Sequence, residues 1–259
     1  MMTNGPAPFI WYELLTSDAD AAQRFYEQLI GWSVAPAGGD PSTNHVYRIL
    51  TAPDGQGVGG MMKLPEGAPM PPRWLGYIGV EDVDAAVEDA KATGAAVHMA
   101  PQDIPGVGRF ALLADPQGAP FYMMRGNSPE PSRAFSREAI GHCGWNELAT
   151  SDQKGAFAFY TGQFGWTDGG SMPMGDMGDY QFINDADGMI GAMMTRAPGG
   201  PPPSWLFYFR VADIDAAAAK IAPAGGSIMH GPVEVPGGDF IIAGMDPQGA
   251  AFALVGARK

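Results

Sequence analysis

Two glutamates in matching sequence contexts are the side chains best suited to chemistry in this chain. Glu13 lies in the segment WYELLTSD and Glu147 in the segment WNELATSD. Because alternate residues of a strand share a face, each glutamate is expected to share a face with the tryptophan two positions before it, Trp11 or Trp145. A carboxylate among aromatic rings is costly to leave unpaired, and its pKa is expected to rise. Each glutamate is therefore a candidate general acid, general base or cation ligand. The alternative is a structural group that an arginine or an indole N–H pairs.

Aromatic and cationic side chains on neighbouring predicted strands are the candidate ligand contacts. Tyr77 is expected to share a face with Leu75 on one strand, and Tyr208 and Arg210 to share a face with Leu206 on another. Tyr122 lies on the last strand of the first half of the chain. Rings with a few hydrogen-bonding tips are typical of a small-molecule pocket, although the same rings could simply fill the concave face of a sheet as core. The predicted ligand-binding residues are Trp11, Tyr77, Tyr122, Trp145, Tyr208 and Arg210.

The elements that position these residues occur twice, because the chain is an internal duplication. Six of the eight positions in the two glutamate segments are identical at an offset of 134 residues. The turn sequence DPQG at residues 115–118 returns at residues 246–249, an offset of 131. An offset that shrinks so little over the whole length indicates one domain present twice. The predicted domains are residues 1–126 and 138–259, joined by a polar, proline-bearing linker at residues 127–137.

Each half is predicted to contain strands and helices in a repeated order. In the first half an aromatic-rich strand covers residues 9–16, and the Ser-Asp pair at residues 17–18 begins a helix that ends at Gly31. A second helix begins at Asp82, carries an apolar stripe and ends at Gly94. Further strands are predicted as a pair within residues 46–64 and singly at residues 74–80, 107–114 and 119–125.

Charge and composition exclude several classes of partner. The net charge is −13, from 15 Lys and Arg against 28 Asp and Glu. Nucleic acids and anionic membranes both attract cations, so we expect neither as a partner. No apolar run approaches the roughly 20 residues of a membrane helix, and the N-terminal residues lack the pattern of a signal peptide. With a single cysteine, Cys143, these features predict a cytoplasmic protein. The two joined domains predict a monomer or a homodimer, and the aromatic side chains predict a small organic molecule as the partner.

Four motifs occur in the same order in both halves, with substitutions in the second. They are TSD at the start of the first helix, FYEQLIGW at residues 25–32, VEDVDAA at residues 80–86 and DPQG at residues 115–118. In this order they resemble the vicinal oxygen chelate superfamily, which includes glyoxalase I, extradiol dioxygenases and bleomycin-resistance proteins. The resemblance implies an α+β fold of two tandem glyoxalase-like domains, each made of two βαβββ modules that form a curled mixed sheet around a groove.

Metal-dependent members of that superfamily hold a divalent ion through His, Gln or Glu side chains. The resemblance puts these ligands seven residues before a helix-starting aspartate and four residues after a turn glycine. In this chain those positions are occupied by Trp11, Leu75, Tyr122, Trp145, Leu206 and Ala253. The four histidines lie elsewhere, at His45, His98, His142 and His230. Indole, phenol and aliphatic groups are not usual ligands of divalent ions, so we expect no metal and no other cofactor.

The expected function is binding of a small organic molecule in an aromatic groove that lacks the usual metal ligands, as in the resistance-type branch of the superfamily. A first alternative is a lyase, isomerase or dioxygenase in which Glu13 or Glu147 acts as a base or as an off-pattern metal ligand. A second alternative is a non-catalytic structural or interaction protein whose grooves are filled by its own side chains and which associates through exposed sheet edges. The sequence leaves open the ligand, whether turnover occurs and which groove is functional.

Overall fold

The computed structural model describes residues 6–38, 46–65, 67–68 and 70–259. His45 therefore lies outside the described residues. Within the described part of the chain, no helix combines the length and hydropathy needed to cross a bilayer.

The first half of the chain forms eight strands and two helices. In chain order they are β1 (Phe9–Thr16), α1 (Ala19–Ile30), β2 (Ser33–Gly38), β3 (Tyr47–Thr51), β4 (Gly57–Lys63), β5 (Arg73–Gly79), α2 (Val83–Ala92), β6 (Ala96–Ile104), β7 (Gly108–Ala114) and β8 (Pro120–Gly126).

The second half repeats this order. Its elements are β9 (Cys143–Thr150), α3 (Gln153–Phe164), β10 (Thr167–Pro173), β11 (Asp179–Asn184), β12 (Met189–Thr195), β13 (Ser204–Val211), α4 (Ile214–Ile221), β14 (Ser227–Glu234), β15 (Phe240–Met245) and β16 (Ala251–Gly256), with a short 3₁₀ turn at Gly175–Met177.

The strands form two eight-stranded mixed sheets with the same topology. Their orders are β2-β3-β4-β1-β5-β8-β7-β6 and β10-β11-β12-β9-β13-β16-β15-β14. In each module the first strand pairs in parallel with the last, as β1 does with β4 and β5 with β8, because the helix after the first strand carries the chain back to the same end. The predicted α+β fold of paired βαβββ modules is confirmed.

The helices begin and end at the predicted signals. The Asp18 carboxylate accepts hydrogen bonds from the N–H groups of Asp20 and Ala21, and α1 ends at Gly31, whose φ of 87° is left-handed. Asp82 caps α2 in the same way. A side-chain oxygen at this position satisfies N–H groups that the first helical turn leaves free, while glycine adopts a left-handed φ at little cost.

By packing, the described chain divides into two compact units that do not follow the two halves of the sequence. Unit 1 consists of the chain up to Ile10, Gly76–Ser132 and Asn146–Trp205. Unit 2 consists of Trp11–Leu75, Arg133–Trp145 and Leu206–Lys259. The predicted boundaries at residues 126 and 138 stay a prediction about the sequence repeat.

A buried tyrosine links helix, strand and turn within unit 2. The Trp74 Nε1–H donates to the Tyr26 hydroxyl at 2.9 Å, and that hydroxyl donates to Asp246 Oδ2 at 3.1 Å. Asp246 Oδ1 accepts the N–H groups of Gln248 and Ala250, which fixes the DPQG turn. Burial raises the pKa of Asp246, although these hydrogen bonds oppose the rise.

Unit 1 contains the same indole–phenol hydrogen bond and the same aspartate-fixed turn at the equivalent positions. The Trp205 Nε1–H donates to the Tyr160 hydroxyl at 2.9 Å. Asp115 Oδ1 accepts the N–H groups of Gln117 and Ala119, and burial raises the Asp115 pKa. The duplication has therefore kept the tryptophan–tyrosine hydrogen bond and the aspartate-fixed turn in both units.

Candidate functional site

The first candidate carboxylate, Glu13, lies in the middle of β1 and is 4% exposed. In the parallel register it stands opposite Gly60 of β4, which in turn stands opposite Ile49 of β3. The three residues form one row across unit 2. A charged group this buried must be paired or neutralised, so the row is a place where chemistry or structural pairing is concentrated.

A tyrosine that the sequence analysis did not single out covers this row. The Trp11 Nε1–H donates to the Tyr47 hydroxyl at 2.8 Å. A Cβ atom placed on Gly60 would lie 2.1 Å from that same hydroxyl oxygen. Gly60 therefore leaves the space that the Tyr47 ring occupies beside Glu13. The available sequence signal was the recurrence of tyrosine at residue 180, an offset of 133.

The second candidate carboxylate, Glu147, lies at the equivalent point of β9 in unit 1. It stands opposite Ala192 of β12, which stands opposite Phe182 of β11. The Tyr180 hydroxyl donates to Glu147 Oε2 at 2.6 Å, and the Tyr180 and Phe182 rings meet edge-on at 5.7 Å. Glu147, Tyr180 and Phe182 are all half-buried. This site is therefore more open to solvent than that of Glu13.

The Tyr180–Glu147 hydrogen bond has the length of a charge-assisted O–H···O⁻ bond. Such a bond orients both groups and allows a proton to pass between them. The carboxylate can also accept a hydrogen bond from a ligand, since an ionised carboxylate has about four acceptor sites. The pair can therefore hold a ligand or transfer a proton.

Three of the positions at which the resemblance puts metal ligands meet within unit 2. Trp145, Leu206 and Ala253 belong to one apolar cluster, together with Tyr208, Val255 and Ile241. Ala253 is fully buried and Tyr208 nearly so. The Arg137 guanidinium lies 5.8 Å from the centre of the Trp145 ring, within cation–π range. The cluster consists of packed side chains.

The candidate tyrosines of the first half, Tyr77 and Tyr122, stack on each other in unit 1. Their ring centres are 4.2 Å apart at an angle of 17°, and each residue is 4% exposed. Phe110 packs against Tyr122 at 5.9 Å. Most of the surface of both rings is therefore used by internal packing.

Arg210 is held by an ion pair at the end of β13. Its Nη2 lies 2.5 Å from Asp239 Oδ2 and its Nη1 lies 3.4 Å from Asp239 Oδ1. The equivalent residue of the first half is Gly79, where an added Cβ would lie 2.9 Å from Ile10 Cγ2. In the first half, the Ile10 side chain therefore lies close to where a side chain at residue 79 would begin. The second half has the Arg210 side chain at the equivalent position.

The described histidines are not gathered at these sites. His142 is buried, with Nδ1 2.6 Å from the Arg133 carbonyl oxygen and Nε2 3.1 Å from Asp54 Oδ2. His98 and His230 are exposed on β6 and β14. In the part of the chain that the structure describes, no group of three or more His, Cys, Asp or Glu side chains could hold a metal ion.

Cys143 is fully buried in unit 2, and burial raises the pKa of its thiol to about 12. A thiol in that state is protonated at neutral pH and is not a nucleophile.

Comparison with known proteins identifies relatives along the whole chain. The family model for the Glyoxalase/Bleomycin resistance protein/Dioxygenase superfamily matches residues 9–122 and 139–254. A protein of Mycobacterium tuberculosis whose name assigns it to the glyoxylases, CFP32, is 36% identical over 255 residues, which cover 95% of this chain and 93% of CFP32. The anthracycline biosynthesis protein DauV of Streptomyces sp. (strain C5) is 29% identical over 264 residues, covering 98% of this chain and 94% of DauV.

Among solved structures, the Mn(II)-bound glyoxalase from Novosphingobium aromaticivorans superimposes with a TM-score of 0.64. It is 20% identical, and the match covers 98% of this chain and 82% of that one. At this identity the likeness concerns the fold alone. The repeated motifs, the two eight-stranded sheets of the same topology and the family model agree. The chain therefore belongs to the Glyoxalase/Bleomycin resistance protein/Dioxygenase superfamily.

Proposed function

We propose that this chain binds a small organic molecule and holds no divalent metal ion at the positions where metal-dependent members of the superfamily have their metal ligands. The observation that carries the proposal is the cluster of Trp145, Leu206 and Ala253 in unit 2. These positions meet in space, but they supply an indole, an isobutyl group and a methyl group. None of these groups coordinates a mid-series divalent ion. The donor set does not fit a metal, and no step of the proposed function passes through one.

The ligand is proposed to bind at the Glu147 site, because its three side chains are half-buried and so remain accessible. The rings of Tyr180 and Phe182 offer apolar faces, and the carboxylate of Glu147 accepts hydrogen bonds. These groups favour an aromatic or polycyclic molecule that carries a hydrogen-bond donor. The name of DauV, an anthracycline biosynthesis protein, supports the same class of ligand.

Metal analysis of the full chain purified without a chelator tests the first part of the proposal. We expect manganese, iron, nickel and zinc together to amount to well under one ion per chain. One retained ion per chain would overturn the proposal and would favour a metal-dependent activity.

Thermal unfolding with candidate ligands tests the second part. A panel of an anthracycline, an aromatic diol and an aldehyde covers the chemistry that the site favours. A ligand at 100 times its dissociation constant is expected to stabilise the fold by about 2.7 kcal/mol. The matched variants are Glu147→Gln, which should weaken the effect, and Glu13→Gln, which should not. No stabilisation by any compound would favour the structural alternative.

A second candidate function is acid–base catalysis by the same site. The 2.6 Å hydrogen bond from Tyr180 to Glu147 favours it, since that geometry suits proton transfer. Glu147 would take a proton from the substrate, and Tyr180 would hold the carboxylate in position. Under this reading Glu147→Gln abolishes consumption of the substrate but leaves its binding measurable. If a compound binds but is not consumed, catalysis is contradicted and binding is the only function supported.

A further inference from the structure

A cavity lies between α2 and α3 of unit 1. Its volume is about 1110 Å³, which slightly exceeds the range usual for small-molecule pockets. Small side chains line much of it, among them Ala85, Ala158 and Gly162, while Phe159 and Pro116 add apolar surface. We call this cavity the α2–α3 cleft.

The equivalent helix pair in unit 2 is bridged by a lysine side chain. The counterparts of α3 and α2 are α1 and α4. There the Lys220 Nζ on α4 donates to the Gln28 carbonyl oxygen in the last turn of α1, at 3.1 Å. A tethered alkylammonium group thus spans the helix pair and meets the negative end of a helix dipole.

In unit 1 the two residues at these positions are different. Lys220 is replaced by Asp89, at an offset of 131, and Gln28 is replaced by Gly162, at an offset of 134. Both Asp89 and Gly162 line the α2–α3 cleft. The duplicated fold has kept the helix carbonyl but has exchanged the cation for a carboxylate and removed a side chain.

A second residue of α3 that lines the cleft is also smaller than its counterpart on α1. Ala158 stands where α1 has Arg24. The helices remain joined by the Gln163 Nε2–H, which donates to the Ala86 carbonyl oxygen at 2.9 Å. The cleft therefore lies between helices that are linked by a hydrogen bond.

The charge of the cleft selects the class of ligand. Its charged lining residues are Glu81, Asp82 and Asp89, and no lysine or arginine is among the described residues that line it. Asp82 is already engaged, since its carboxylate caps α2. We propose that the α2–α3 cleft binds a small organic amine, whose ammonium group takes the place that the Lys220 ammonium takes in unit 2.

The ammonium group has two acceptors in this arrangement. The Asp89 carboxylate supplies a charge, and the Gly162 carbonyl is the counterpart of the oxygen that Lys220 reaches. The apolar body of the amine packs against Phe159 and Pro116. The site is separate from Glu147, and the inference does not rest on the proposed function.

Calorimetric titration of the full chain with 4-phenylbutylammonium tests the inference, with 4-phenylbutanol as the uncharged match. We expect the amine to bind and the alcohol to bind much more weakly. Asp89→Asn should weaken amine binding about fivefold or less, because exposed ion pairs contribute little. Asp89→Lys should abolish it, since the variant carries the cation in place.

Two further variants locate the site. Gly162→Gln restores the side chain of α1, and it has room because nothing lies within 4 Å of an added Cβ. We expect it to weaken amine binding about tenfold, because the new side chain occupies space that the amine would fill. Asp176→Lys, which changes the net charge equally outside the cleft, should leave the affinity unchanged. Absence of amine binding at millimolar concentration, equal binding of the alcohol, or unchanged affinity in Asp89→Lys would each overturn the inference.

Discussion

The two glutamate sites have the same ancestry and different surroundings. Glu13 is buried beside Gly60, and its neighbour Tyr47 is engaged by the indole of Trp11. Glu147 is half-buried beside Ala192, and Tyr180 donates directly to it.

The difference shows that a duplicated site can keep its polar residues while their burial and neighbours change. At the first site the tyrosine fills the space over a glycine, and the carboxylate is enclosed. At the second site a methyl group occupies the row and the carboxylate reaches solvent. We therefore expect substitutions at the first site to act mainly on stability, and those at the second mainly on ligand binding.

The largest expected effect is that of Gly60→Ala. The new Cβ would lie 2.1 Å from the Tyr47 oxygen, so the ring must leave and the Trp11 N–H loses its acceptor. We expect a loss of about 2–3 kcal/mol in the free energy of unfolding, the usual range for overpacking with a broken hydrogen bond. Urea unfolding measures it. The reciprocal variant, Ala192→Gly, should cost about 1 kcal/mol, and equal losses would contradict the contrast between the sites.

Removal of the tyrosine hydroxyl from each site sharpens the contrast. Tyr47→Phe should cost about 1–2 kcal/mol, because a part-buried indole N–H loses its acceptor. Tyr180→Phe should cost below about 1 kcal/mol, because water can reach the half-buried Glu147 in its place. Chemical unfolding of both variants, side by side, gives the comparison. A larger loss for Tyr180→Phe would reverse our assignment of the enclosed site.

The glutamates themselves are expected to differ in ligand binding. Glu147→Gln should weaken binding of the best compound in the panel about tenfold, the value of one hydrogen bond to a charged group. Glu13→Gln should change the affinity less than about twofold, because that side chain is enclosed. Titration calorimetry separates the two. An equal effect of both variants would mean that the two sites are functionally alike.

The smallest expected effect concerns Asp115 and Asp246, whose turn hydrogen bonds the duplication has kept alike. Burial raises the pKa of each above the ordinary value of 3.8. The folded form therefore keeps its proton to a higher pH than the unfolded form, and stability is lost as the pH rises through the raised pKa. Asp115→Asn and Asp246→Asn should both gain stability relative to the unchanged chain as the pH rises above 3.8.

Thermal unfolding across that pH range checks the sign of the trend. The test is how the stability difference between each variant and the unchanged chain changes with pH, because loss of the carboxylate also removes a hydrogen-bond acceptor at any pH. A stability difference that depends on pH for one variant only would show that the two turns have diverged as the glutamate sites have.

The sequence predicted the central elements well because local signals and burial agree there. The strand predicted at residues 9–16 is β1, and the helix signals at Asp18 and Gly31 bound α1. The edge strands β2 and β6 were not predicted from the residue pattern. β6 is exposed along nearly its whole length and contains Pro101, so it has no alternation of buried and exposed residues to detect.

The candidate site was predictable only in part, for a physical reason. Glu13 and Glu147 were found because strand alternation is a local property. Tyr47 and Tyr180 were missed because their position depends on the register between three strands, which no local pattern fixes. The α2–α3 cleft was missed for the same kind of reason, since it follows from which helices pair and not from either helix alone.

The hydrogen bond between Tyr26 and Asp246 joins the two halves of the sequence. Its two partners are 220 positions apart, yet they lie in one compact unit. Neither half alone contains both the buried phenol and its acceptor. The compact unit that contains them is therefore built from both copies of the repeat.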